Sequence, residues 1–168
     1  MIEIRHERPQ NTEHFSNLLA FYREILPICR DLQLSPLLTG SLAVFAYTRN
    51  QSLPVNDLDL ACAESAFPRL THALAIQGIT TAEKSWHVLQ AHRDHLKIEF
   101  DSLEFWFADV PTAHDTLIID GCPFNLLCLS SLQELYRRGL NDVAQQNDAS
   151  SRAKYASIAT KYALLCAI

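Results

Sequence analysis

The segment Asp57-Leu58-Asp59-Leu60-Ala61-Cys62 constrains this chain most, because it alternates with period two and carries two acids in register. Successive side chains of a strand point to opposite faces, so Asp57 and Asp59 share one face and Leu58 and Leu60 the other. Strand geometry puts the two acids ~7 Å apart. Asp is depleted in strands, since its carboxylate competes for backbone donors and resists burial. Two on one face repel each other unless water or a cation lies between them. The segment is therefore either a strand with a solvated acidic face or one that presents a carboxylate pair to a ligand.

What precedes it bears on the choice. Leu37-Leu38-Thr39 reads as a short apolar strand broken at Gly40, and Ser41 stands where a helix N-cap is expected, before the buried helix Leu42–Tyr47. Arg49 to Asn56 is polar, holds Pro54 and reads as loop. A strand–Gly–Ser–helix turn offers free N–H groups and a hydroxyl to an anion, and Gly40 lets the backbone come close. As a plain turn with a Ser cap it needs no ligand. Further on, Leu96-Lys97-Ile98-Glu99-Phe100-Asp101 sets Lys97, Glu99 and Asp101 on one face. If this strand lies beside Asp57–Cys62, Glu99 supplies a third carboxylate, with Asp101 as the alternative. Otherwise it is an exposed strand of alternating charge. Three carboxylates around Mg²⁺ or Mn²⁺ suit in-line phosphoryl displacement.

The remaining chain supplies a frame for these pieces. Phe15, Leu18, Leu19, Tyr22, Ile25 and Leu26 recur at helical spacing in a segment from about Thr12 to Arg30, which Pro27 should end or kink. Ser65 to Ile76 reads as a helix capped by Ser65 and closed by Gly78. Trp86–Ala91 and Leu96–Phe105 read as strands joined through His92-Arg93-Asp94-His95, and Thr116–Asp120 with Pro123–Leu129 as a hairpin about Asp120-Gly121. Helices follow near Ser131–Leu140 and Ser151–Ala167, separated by the polar stretch Asn141–Ser150. The sum is one α/β (α+β) domain over residues 1–168, a small mixed β-sheet flanked by helices, with a core at about 37–131 and a helical part at 131–168.

Composition narrows the partners. With 48% apolar and 20% charged residues the 168-residue chain has the balance of a soluble globular protein. No apolar run approaches the roughly 18 residues of a membrane span, and the charged start gives no mark of export, so the cytoplasm is the expected compartment. The five cysteines are scattered and never spaced as CxxC, which fits buried thiols, Cys62 among them, better than disulfides or zinc. Net charge is −5 and no basic cluster exceeds Arg137-Arg138, which argues against nucleic acid as the main partner. His87, His92 and His95 are expected as solvated turn residues. Trp86, Phe105, Trp106 and Phe107 are able to stack a base, but strand-end aromatics are expected to pack the core.

Together, Thr39-Gly40-Ser41, the short helix, the polar loop and Asp57-Leu58-Asp59-Leu60 resemble the split hydrophobic-Gly-[Gly/Ser] and acid-x-acid signature of the polymerase-β-like nucleotidyltransferase superfamily. The gap between its halves is similar to that of the lincosamide and aminoglycoside nucleotidyltransferases. Lys97-Ile98-Glu99-Phe100 is similar to that group's basic-Ile-Asp-Leu strand, with Glu99 in place of the third Asp, and Asp120 to Ser130 is similar to its Gly turn, apolar strand and helix-opening Ser. The likeness runs from about Leu37 to Ser131, with a weaker echo in Arg152-Ala153-Lys154, where Tyr155 stands in place of the family's Asp.

This resemblance implies a nucleoside triphosphate held by Gly40 and Ser41, and Mg²⁺ or Mn²⁺ held by Asp57, Asp59 and Glu99. It also implies a small hydroxylated acceptor that attacks the α-phosphorus. Arg49, in the loop before Asp57, is either a further phosphate contact or a solvated loop residue. No nucleic-acid or membrane partner is expected, no separate acceptor domain is expected after Ser131, and self-association stays open. Two rival readings use the same fold: a non-catalytic or regulatory nucleotide- or partner-binding domain, and an enzyme that modifies a Tyr or Ser of another protein.

Overall fold

Apolar residues at helical spacing make the buried stripe of α1 (Thr12–Asp31) in a computed structural model that describes residues 1–168; Phe15, Leu18 and Ile25 are fully inaccessible. Of the two outcomes expected for Pro27, ending the helix does not occur, since α1 runs on to Asp31. A proline there frees only the carbonyl of Arg23, and both residues are exposed, so the vacated carbonyl is open to solvent.

Eight strands form one mixed sheet. They are β1 (Ile2–Ile4), β2 (Leu37–Thr39), β3 (Leu58–Cys62), β4 (Thr80–Lys84), β5 (Val88–Arg93), β6 (Leu96–Ser102), β7 (His114–Ile119) and β8 (Cys122–Leu127). Their order across the sheet is β1-β7-β8-β2-β3-β6-β5-β4. The pairs β1–β7, β2–β8 and β3–β6 are parallel, the others antiparallel. The two strands that the sequence did not mark, β1 and β4, are the two edges. Edge strands are short or polar in native sheets, and neither of these carries a clean alternation of apolar residues.

The remaining helices are α2 (Gly40–Thr48), α3 (Phe67–Ile76), α4 (Leu103–Trp106), α5 (Leu129–Ala144) and α6 (Ala149–Cys166). Two helix starts differ from expectation. Ala66, after a 3₁₀ turn at Glu64–Ala66, precedes α3 where Ser65 was expected as the cap. Residue Ser102 ends β6 and caps α4 by accepting a bond from Phe105 N–H at 3.2 Å, so the aromatic run expected as strand turns away as a helix.

The sheet has one dry and one polar face in its central region. Leu58, Leu60, Leu89, Ile98 and Phe100 are buried, and α1 packs on β6 and on α3 on that side. Burying a side chain of this size stabilises by roughly 1.5–3 kcal/mol. Asp59, Gln90, Glu99 and Asp101 alternate with them and are only partly covered. Asn11 ties the loop before β3 to the head of α1: its side chain donates to Val55 O at 2.8 Å and accepts from Val55 N–H at 2.9 Å. No helix is long and apolar enough to cross a membrane.

Candidate active site

Parallel pairing of β3 with β6 sets Asp59 opposite Glu99 and Ala61 opposite Asp101. Paired residues of a parallel ladder point the same way, so Asp59, Glu99 and Asp101 lie on one face, with the small Ala61 leaving room beside Asp101. On the other flank, β2 pairs Thr39 with Asp59, and the Thr39 hydroxyl donates to the Asp59 carbonyl at 3.3 Å. The acid therefore stands directly beside the start of α2.

Gly40 shows how tight that fit is. Its φ is +65°, and a Cβ there would lie 1.8 Å from Asp59 Oδ2 and 2.5 Å from its Cγ. Only glycine admits the carboxylate at this distance, and only glycine adopts this φ without strain. Thr39, not Ser41, occupies the cap position of α2, and no side chain caps its first turn. Ser41 lies inside that turn, half-buried. The amides at the start of a helix lack partners within it, so they are left to an anion or to water.

The three sequence-marked acids differ in their surroundings. Lys97 joins two of them, with Nζ 3.0 Å from Asp57 Oδ2 and 2.5 Å from Glu99 Oε1. Burial pulls this ammonium down, but the bonds to Glu99 and Asp57 more than offset it, and the net shift is upward. Glu99 also accepts from the Gln90 side chain at 3.1 Å. Burial, then Asp57, Asp101 and Glu99, push Asp59 well above the ordinary carboxylate range, against a smaller pull from Lys161. Burial, then Glu99 and Asp57, push Asp101 up to about 7.

Asp59 and Asp101 form the acidic end of a cavity of about 400 Å³. Asp142 of α5 also lines it; Asp57 and Glu99 do not, whereas Asp101, the residue that the sequence ranked second for the third carboxylate, does. The register sets Glu99 directly opposite Asp59, as the sequence expected, but Lys97 and Gln90 hold its carboxylate. Of its two readings, Arg49 takes the place of the loop residue. It follows the last turn of α2, at the far end from Gly40, and its guanidinium meets Glu7 at 3.7 Å and the Glu3 carbonyl at 3.4 Å. It is not brought to the carboxylates. No group of three His, Cys, Asp or Glu side chains is gathered in the arrangement of a preformed metal centre.

Four residues around the acids carried no mark in the sequence reading or a different one. Phe105 and Trp106, expected in the core, line the cavity and stay 52% and 39% exposed. Phe105 stacks on His87 at 4.1 Å, and Trp106 donates to the Trp86 carbonyl at 2.9 Å. Tyr136 of α5 lines the same cavity, and burial, then Asp59 and Asp57, raise its phenol above the ordinary range. Lys161 of α6 is pulled down by burial, while Asp59 and Asp57 pull it back up. A lysine at helical spacing with Ile158 and Leu165 was the available signal. Cys62 is core as expected, with burial pushing its thiol up to about 12.

No protein-family model and no curated protein matches the sequence. Solved structures do match. The antibiotic-resistance factor ANT(2'')-Ia aligns with a TM-score of 0.65 at 15% identity, over 90% of this chain and 84% of its own. An antigenic nucleotidyltransferase-like protein from Paracoccidioides brasiliensis aligns at 0.58 and 13%, over 94% and 77%. The lincosamide antibiotic adenylyltransferase LnuA, solved with lincomycin, aligns at 0.52 and 11%, over 85% and 96%. These likenesses establish the fold: the chain has the mixed α+β architecture of nucleotidyltransferases.

Proposed function

We propose that this chain, built on the nucleotidyltransferase fold, moves a nucleoside monophosphate from a nucleoside triphosphate to a hydroxyl of a small molecule. The observation that carries the reading is the contact of Gly40 with Asp59, beside the uncapped start of α2 and at the end of a cavity shared with Asp101. A turn that served folding alone would not need a carboxylate pressed against its glycine.

The parts divide as follows. First-turn amides of α2 and the Ser41 hydroxyl take phosphate oxygens. Asp59, with Asp57 beside it, offers hard oxygen donors suited to Mg²⁺ or Mn²⁺; one Asp57 oxygen stays with Lys97. Bound there, such an ion neutralises phosphate charge and polarises the phosphoryl group. The acceptor oxygen forms a bond to the α-phosphorus, and the bond from that phosphorus to the bridging oxygen breaks. Pyrophosphate leaves with the electron pair. Asp101, at about 7, is matched to take the acceptor's proton near neutral pH. ANT(2'')-Ia has been solved with adenylyl-2''-tobramycin, which supports a small hydroxylated acceptor here as well.

One observation favours the non-catalytic rival: Lys97 already neutralises Asp57 and Glu99. Incubation with each α-labelled triphosphate, Mg²⁺ and a panel of hydroxylated acceptors separates the two. Label on an acceptor, lost in Asp59→Asn and Asp101→Asn, is the expected result. Binding without transfer supports the rival, and no binding at all sinks both the transfer reading and the nucleotide-binding form of the rival.

A further inference from the structure

Phe105 and Trp106 form a wall of exposed rings beside the acids, and polar bonds behind the wall hold it there. Both belong to α4, which follows β6, the strand of Asp101, without a break. Ser102 caps α4 by accepting from Phe105 N–H at 3.2 Å, and its own N–H donates to the His87 carbonyl at 3.0 Å. His87 lays its ring against Phe105 at 4.1 Å and donates through Nδ1 to Glu64 at 2.9 Å. Its φ of +64° is unfavourable for a residue with a side chain, and these bonds fix it there. Trp106 meets Phe105 edge-on at 5.1 Å and donates its indole N–H to the Trp86 carbonyl at 2.9 Å. The rings are thus fixed from behind while much of their surface stays in water at the cavity. Apolar surface kept wet is unfavourable, and a contiguous patch of it in a cavity marks a place that a ligand covers.

The position of the wall says which ligand. Asp101, proposed above to take the acceptor's proton, lines the same cavity and precedes the wall on the same stretch of chain. An acceptor whose hydroxyl lies at Asp101 therefore carries the rest of its body along Phe105 and Trp106. Leu132, Leu135 and Ile158 continue the apolar lining. Charge sets a second limit. With Asp59 given to the metal and Asp101 to the acceptor's proton, Asp142 is the acid left in the cavity, and Arg138 stands in the same lining. That leaves no surplus of negative charge to hold a polyaminated sugar, whereas a flat apolar body matches the wall.

We infer that the acceptor is a small hydroxylated molecule with an aromatic body, which stacks on Phe105 and Trp106. This rests on the transfer reading proposed above. The wall sets which acceptor is taken, and the nucleotide is held without it.

A matched pair of probes tests this: 2-naphthyl glucoside and methyl glucoside share their sugar hydroxyls and differ in the aromatic rings. Each, with tobramycin as the polyaminated comparison, is titrated by calorimetry into protein saturated with Mg²⁺ and a non-hydrolysable nucleoside triphosphate. The parent should bind the naphthyl glucoside at least tenfold more tightly than the other two. Losing an aromatic stack with its apolar contact lowers affinity roughly 5- to 50-fold. That loss is expected for the naphthyl glucoside in Trp106→Leu, with methyl glucoside and triphosphate binding as in the parent. The Trp86 side chain does not line the cavity, so Trp86→Phe should keep every parent affinity. Should Trp106→Leu not fold, Phe105→Leu is read in the same way. A parent that binds triphosphate but shows no preference for the naphthyl glucoside overturns the inference and leaves the functional reading standing. Loss of triphosphate affinity in Trp106→Leu, with the glucoside unaffected, gives the wall to the nucleobase and also overturns it. A parent that binds no triphosphate overturns the functional reading and the inference together.

Discussion

At the scale of single residues, Gly40 and Asp59 act as one unit, since each fixes what the other is allowed to be. Gly40→Ala puts a Cβ where the Asp59 carboxylate lies and forces a side chain into φ +65°. The backbone strain alone is about 1–2 kcal/mol. Urea unfolding should therefore show a loss of at least that size, and triphosphate affinity should drop more than tenfold because Asp59 must move. Full retention of both would mean that the contact is incidental. Asp101 gives a prediction with a definite pH sign. Its folded pKa of about 7 lies above the ordinary 3.8, so the metal-free native state holds a proton that the unfolded chain has lost. Stability then falls as pH rises from about 4 to about 7 and is level above. In Asp101→Asn this part of the slope should vanish, and the variant should melt higher than the parent at pH 8 but not at pH 4. Thermal melts across that range check it.

Elements position these residues through a few long-range ties. The loop before β3 is held by the two bonds between Asn11 and the Val55 backbone. At about 0.5–1.5 kcal/mol each, their loss in Asn11→Ala should cost roughly 1–3 kcal/mol by urea unfolding. It should also weaken triphosphate binding, because Asp57 follows that loop directly. An unchanged unfolding midpoint would show the loop to be anchored elsewhere. Legibility in the sequence also divides by element. The strand–Gly40–helix turn and the Asp57 strand were readable because their period and their glycine are local signals. The choice of Asp101 over Glu99 at the cavity was not, since it depends on Lys97 and on Gln90 from the neighbouring strand. The helical turn at Leu103-Glu104-Phe105 was misread as the end of a strand, although Ser102 just before it is the kind of residue that caps a helix.

On the scale of the whole molecule, a dry sheet face packed by α1 and α3 supports a polar face turned toward α4, α5 and α6. The sheet order is what brings β2, β3 and β6 side by side, and with them Gly40, Asp59 and Asp101. The neighbouring of β3 and β6 was expected from their acids and is observed, but the rest of the order was not legible, because two of its strands are edges with little pattern of their own and β2–β8 pairing joins Leu37 to the distant Asn125. Tyr136 lines the cavity only once α5 folds back across the sheet, so its place depends on packing. The nucleotide site proposed for this chain, formed by the α2 start and the β3 acids, is expected to need a divalent ion. The decisive experiment is calorimetric titration of a non-hydrolysable nucleoside triphosphate into the parent and into folded Asp59→Asn, each with and without Mg²⁺. Binding by the parent should depend on Mg²⁺ and should fall at least tenfold in Asp59→Asn. Equal affinity in all four titrations would contradict such a site.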